Sequence, residues 1–168
     1  MNATDKIVYE TTLRYTAPDY LEIGVSEGDS LLSVLTNPNV RFAVGVDNWG
    51  IYCGGTNRGS PDHLLPLLGK NLDRVLLITG SSHVILPGMR HQFDVIYVDG
   101  DHSTNGAMQD LDDCSRLLAP GGVLLADDMD NPHHRLLRPA TIAWAERNGF
   151  TIKMHEVMST LAEMARNG

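Results

Sequence analysis

Phe93-Asp94-Val95-Ile96-Tyr97-Val98-Asp99-Gly100-Asp101-His102 is the stretch from which the fold can be read. Its apolar run carries hydrophobic side chains on both alternations, which suits a strand buried on both faces in a parallel sheet. It ends abruptly in acidic residues and glycine. Working outward, Tyr20-Leu21-Glu22-Ile23-Gly24, Phe42-Ala43-Val44-Gly45-Val46-Asp47, Arg74-Val75-Leu76-Leu77-Ile78 and Gly122-Val123-Leu124-Leu125-Ala126 have the same character. Helical patterns lie between them near 28–36, 60–70, 82–90, 103–118 and 138–148. The clearest has Met108, Leu111, Cys114, Ser115 and Leu118 at helical spacing and is stopped by Ala119-Pro120-Gly121-Gly122. Alternating strands and helices predict a doubly wound, Rossmann-like α/β sheet with helices on both faces. Phe150–Val157 and Thr160–Arg166 lie too close for a parallel crossover, so a C-terminal antiparallel hairpin joins the five parallel strands to make a mixed sheet. The chain, 1–168, reads as a single domain.

Composition narrows the classes. The chain has 168 residues, 42% hydrophobic and 20% charged, in keeping with one core. A net charge of −8 lacks the basic face of a nucleic-acid binder. No apolar stretch is long enough to span a bilayer, and Met1-Asn2-Ala3-Thr4-Asp5-Lys6 does not open a secretory signal. Cys53 and Cys114 read as reduced thiols, so a cytoplasmic protein is expected.

The acidic residues cluster. Between Asp94 and Asp130 stand nine Asp and, of Lys and Arg, only Arg116. A solvated helix face accounts for Asp110, Asp112 and Asp113, but not for Asp99, Asp101, Asp127 and Asp128 at the ends of strands. Ligands of open α/β sheets bind beyond the carboxyl ends of the strands, and Glu22, Asp47, Ser81, Ser82, Asp99 to His102, Asp127 and Asp128 all fall there. In Glu22-Ile23-Gly24-Val25-Ser26-Glu27-Gly28-Asp29-Ser30, Gly24 and Gly28 permit a tight turn and a close backbone approach, or simply a strand-to-helix joint. The stretch is not G-x-G-x-x-G, which disfavours a nicotinamide dinucleotide. Asp47, 25 residues after Glu22, can accept ribose hydroxyls or cap the Asn48-Trp49-Gly50 turn. Asp99, Asp127 and Asp128 offer the oxygen ligands that a hard divalent ion prefers, Mg²⁺ first, or are turn formers. Asp101 reads as the N-cap of the helix at 103–118 and as a second candidate for proton transfer. His102 is the candidate general base; His133 and His134 could line the same pocket.

Together these residues resemble the class I S-adenosylmethionine-dependent methyltransferases, and among them the metal-dependent O-methyltransferases of the catechol and macrolide-sugar type. The resemblance runs from about Tyr20 to Asn131. It implies a cofactor site made by Glu22, Gly24, Ser26, Gly28, Ser30, Asp47, Ser82, His83 and Asp99, with Ser30 at the methionine carboxylate, Asp47 at the ribose, and Ser82 and His83 beside the adenine. It implies Asp99, Asp127 and Asp128 as Mg²⁺ ligands, His102 as base, and a small hydroxylated acceptor such as a sugar, catechol or other diol. Where that family has helices closing over the substrate, only about twenty residues precede the first strand here. The pocket is therefore expected to be open, completed by a second subunit in a homo-oligomer, or covered by Asn48–Gly59. A metal-independent methyltransferase and a non-catalytic cofactor-binding module are the alternatives.

Overall fold

A computed structural model describes residues 1–50, 59–156 and 160–167. The proposed lid at Asn48–Gly59 falls largely outside the described residues, as do Cys53 and Val157. Seven strands form one sheet: β1 (Asp19–Ile23), β2 (Phe42–Asp47), β3 (Val75–Thr79), β4 (Phe93–Val98), β5 (Leu118–Ala126), β6 (Phe150–His155) and β7 (Leu161–Arg166). They lie in the order β3-β2-β1-β4-β5-β7-β6. The first five are parallel, and β7 runs antiparallel to both β5 and β6. The mixed Rossmann-like sheet with its terminal hairpin is therefore borne out.

Side-chain alternation divides the core into two layers. Leu21, Val44, Ile96, Val98 and Leu124 face a layer that also buries Leu111, Cys114 and Leu117 of α5 (Thr104–Leu117) and Trp144 and Ala145 of α6 (Leu137–Arg147). Tyr20, Ala43, Val95, Tyr97 and Leu125 face the other, with Val8 of α1 (Ala3–Thr12), Leu31 and Val34 of α2 (Asp29–Val34), and Leu64 and Leu68 of α3 (Pro61–Leu68). The short α4 (Ser82–Ile85) follows β3 and runs on into a 3₁₀ turn, Leu86–Gly88. Coverage on both faces explains why the parallel strands are apolar throughout.

Several expectations need correcting. Helix α1 was not anticipated; Asn2 caps it through a reciprocal pair with Asp5, a signal carried by two polar residues rather than by an apolar stripe. Strand β5 begins at Leu118, directly from α5, so Ala119–Gly122 belong to the strand instead of a loop. Ser103, not Asp101, is the N-cap of α5: its hydroxyl accepts from the Gly106 amide at 3.1 Å, while Asp101 accepts from the Ser103 amide at 2.8 Å. Asp110, expected on a solvated helix face, has no exposed surface. Among the described residues, no helix is long and apolar enough to cross a membrane.

Candidate active site

The loops that leave β1, β2, β3 and β4 enclose a cleft of about 800 Å³ lined by Ser26, Asp47, Ser82, His83, Asp99 and His102, among others. Its floor is the turn after β1. Gly24 has φ +87°, donates its amide to the Val46 carbonyl at 2.9 Å, and lies so close to β4 that a Cβ would stand 2.0 Å from the Asp99 carbonyl oxygen. Gly28, also at φ +87°, backs onto Leu64 of α3. The two glycines thus satisfy packing inside the fold as well as leaving backbone open to the cleft.

Glu22 is fully buried at the end of β1, where its carboxylate accepts the Tyr20 and Ser30 hydroxyls, each at 2.5 Å. Burial pushes its pKa up to about 8. Asp47 accepts from the backbone amides of Ser26 (2.6 Å) and Trp49 (2.6 Å), so it both caps the turn after β2 and holds the glycine loop against that strand.

A second set of groups meets where β4 and β5 end. One ligand atom from each of Asp99, His102 and Asp128 lies within 4.8 Å of the other two. His102 Nδ1 is 2.8 Å from Asp128 Oδ2, to which the Asn131 side-chain amide also donates at 3.0 Å. Asp128 has φ +63°, in the left-handed region that Asp tolerates better than most residues. The hydrogen bond with Asp128 raises the His102 pKa, and the same bond lowers that of Asp128. Asp127 stands beside the triad but faces Tyr97, whose hydroxyl donates to it at 2.7 Å and reaches Asp99 at 3.3 Å. Burial, with the neighbouring Asp127 charge second, pushes Asp99 up to about 7. His134 stacks on His102 with ring centroids 5.5 Å apart.

On the far side of Gly24 a smaller cleft of about 400 Å³ is lined by Asn2–Asp5 of the capped α1 start, Ser30, Tyr97, Asp99 and Asp127. Residues preceding β1 thus close part of the site that the short N-terminal segment was expected to leave open. Gly24, Ser26, Gly28, Ser30, Asp99 and Asp127 border this cleft; Glu22 lies beneath it, tied to Ser30. Asp101 lines the larger cleft beside His102.

Tyr97, Asn131 and Asp110 escaped the sequence reading. Tyr97 carried a signal, because it precedes Asp99 by two residues on a strand and so shares its face. Asn131 meets Asp128 within one turn, three residues away, whereas Asp110 meets His83 only through the fold.

The model of a methyltransferase domain family matches residues 21–129, well over half of the chain. The chain belongs to this methyltransferase family. The expectation of a class I methyltransferase is borne out by this match. An uncharacterized protein of Acanthamoeba polyphaga mimivirus is 24% identical over 111 residues, 65% of this chain and 50% of that protein. The methyltransferase chain therefore spans about half the length of that curated relative. An S-adenosylhomocysteine-bound methyltransferase of Podospora anserina superposes with a TM-score of 0.74 at 19% identity, covering 98% of this chain and 78% of the other. The O-methyltransferase TomG of Streptomyces achromogenes, in complex with S-adenosylmethionine, gives a TM-score of 0.76 at 18% identity over 98% and 80% of the two chains.

Proposed function

We propose that residues 1–168 form one domain that transfers a methyl group from S-adenosylmethionine to a hydroxyl of a small molecule, with a divalent cation, Mg²⁺ first, at its acidic centre. The observation that carries this reading is the convergence of Asp99, His102 and Asp128 at the edge of a cleft large enough for a nucleoside cofactor. Both chains named above as structural neighbours hold S-adenosyl compounds, which supports the same donor here.

In this reading Asp47 takes the ribose hydroxyls. Ser82 and His83 flank the adenine, and Gly24, Ser26, Gly28 and Ser30 surround the methionine end, with Glu22 bracing Ser30 from below. Asp99, Asp127 and Asp128 would offer oxygens to the cation. The donor chemistry fits: the Asp127 charge opposes ionisation of the buried Asp99 carboxyl, which a nearby positive charge would relieve. The cation would supply positive charge that favours ionisation of the acceptor hydroxyl. His102 takes the acceptor's proton at Nε2, its ring oriented through Nδ1 by Asp128, and Asp101 is the second candidate for that step. Positioning of acceptor oxygen and sulfonium methyl in line accounts for most of the acceleration. The acidic rim favours neutral or cationic acceptors such as sugars, catechols and other diols.

One observation favours a second reading. The 2.8 Å His102–Asp128 pair resembles a general base oriented by a carboxylate, an arrangement whose chemistry does not require a metal. Calorimetric titration of S-adenosylhomocysteine, with Mg²⁺ and again with EDTA, tests the first step. Binding in the micromolar range is expected in at least one condition, and none in either would remove the transferase reading. Turnover on a panel of diols should then vanish in EDTA and fall about 10²–10⁴-fold in His102→Gln. Activity that survives EDTA but not His102→Gln would select the metal-independent reading.

A further inference from the structure

Asp110 has no role in the chemistry above, yet it is a fully buried carboxylate beside the larger cleft. It projects from α5 among Ala107, Leu111 and Cys114, with no exposed surface. Its Oδ1 lies 3.3 Å from His83 Nε2, in the segment that follows β3. Its Oδ2 lies under the loop that follows β4, where a Cβ on Gly100 would stand 3.4 Å from it and 2.9 Å from Ile23 Cγ2. Burial raises its pKa, while the nearby Ser82, His83 and Asp101 backbone oppose that rise. Among the described residues, neither carboxylate oxygen nor His83 Nε2 has a hydrogen-bond partner, so the contact with His83 is the 3.3 Å approach alone. One buried carboxylate therefore meets both walls of the larger cleft: Ser82 and His83 on one side, Gly100 and Asp101 on the other.

A carboxylate in such a place costs stability unless its partners compensate, and leucine or cysteine already fills the neighbouring turns of the same helix face. Stability alone would favour an apolar residue there. We infer that Asp110 is a positioning residue for the cofactor: it fixes the Ser82–His83 segment against the Asp99–His102 loop, so that the adenine end of the cleft and its acidic centre keep one spacing. The inference rests on the S-adenosylmethionine reading of that cleft. It differs from that reading in placing a determinant of cofactor affinity outside the cleft wall.

The test is the dissociation constant of S-adenosylhomocysteine, measured by calorimetry at 20 °C on the full chain, with a melting temperature for each variant. Wild-type, Asp110→Asn, His83→Gln and the double variant form a cycle; Asp110→Leu removes the charge but keeps the bulk, in case the amide folds poorly. Asp110→Asn is expected to weaken binding about tenfold, and Asp110→Leu to do the same while melting at or above the wild-type temperature. The double variant should bind no more weakly than the weaker single variant, since both substitutions break one link. Wild-type affinity in either folded Asp110 variant would overturn the inference, and so would losses that add in the double variant. Failure of the wild-type chain to bind would instead sink the reading beneath it.

Discussion

At the level of single residues, Glu22 shows how a polar side chain can be held inside a sheet. Two hydroxyls, from Tyr20 and Ser30, donate to its oxygens, yet burial keeps its pKa near 8 against an ordinary 4.5. The folded chain therefore retains a proton that the unfolded chain releases above about pH 4.5. Stability from this group is complete below that pH and is lost as pH rises towards about 8. In EDTA, Glu22→Gln should flatten the fall of the melting temperature between pH 5 and 8, an effect on the order of a few kcal/mol across the window. Calorimetric melting at four pH values checks this, and an unchanged slope would place the titration elsewhere. Glu22, Asp47, Asp99 and Asp128 could be picked out beforehand because each is a charged residue in or just beyond the end of an apolar run. Their partners could not. Tyr97 over Asp127 depends on how two strand ends come to lie side by side, and Asn131 on Asp128 depends on the turn that follows β5.

Among the elements, the turn from β1 into α2 is the most tightly specified. Gly24 combines a left-handed backbone with a contact that leaves no room for a methyl group beside the Asp99 carbonyl. Gly24→Ala should destabilise the fold by about 3 kcal/mol or more, as strained φ and steric overlap with backbone act together. Urea denaturation measures it; a loss under about 1 kcal/mol would mean that the β1–β4 approach relaxes easily. The sequence suggested that these glycines serve a ligand or a joint, and the joint is demonstrable. Strands were legible because burial on both faces leaves long apolar runs. Helix α1 was not, because its buried face includes Thr4, Asp5, Thr11 and Thr12, which break any apolar period; Thr11 and Thr12 donate back to backbone carbonyls, Asn37 donates to Thr12, and Asp5 pairs with Asn2. Helix α5 was legible in extent but not in its capping, since Asp101 and Ser103 are equally good caps by type.

Over the whole molecule, the hairpin and the N-terminal segment are joined by one polar cluster. Arg14, just beyond α1, pairs with Glu163 of β7 through both guanidinium nitrogens, and His155 of β6 meets the same carboxylate at 2.7 Å. Arg14 is the main cause that draws Glu163 down to about 2 from 4.5. Its contribution is therefore present above about pH 4.5 and is lost as pH falls towards 2. Glu163→Gln should cost about 1–2 kcal/mol at pH 7, a figure reduced for the solvent around Arg14, and nothing at pH 2. Denaturant titrations at the two pH values decide it, and an equal cost at both would show the cluster acting through packing. The arrangement matters for the site, because α1 begins against the smaller cleft that Tyr97 and Asp127 border.

The order of apolar runs and the acidic strand ends were enough to specify a mixed doubly wound sheet, the edge where its acidic residues gather and its resemblance to methyltransferases. Those features are local: strand burial is written in periodicity, and a strand end is written where the periodicity stops. Tertiary structure alone decided which of several adjacent carboxylates share a space. Asp128, not Asp127, meets His102, and Asp110 turns inward to His83 rather than outward to water. Neighbouring acids in the chain have the same composition and nearly the same spacing, so only backbone direction and the packing of α5 and the β5 turn can separate them.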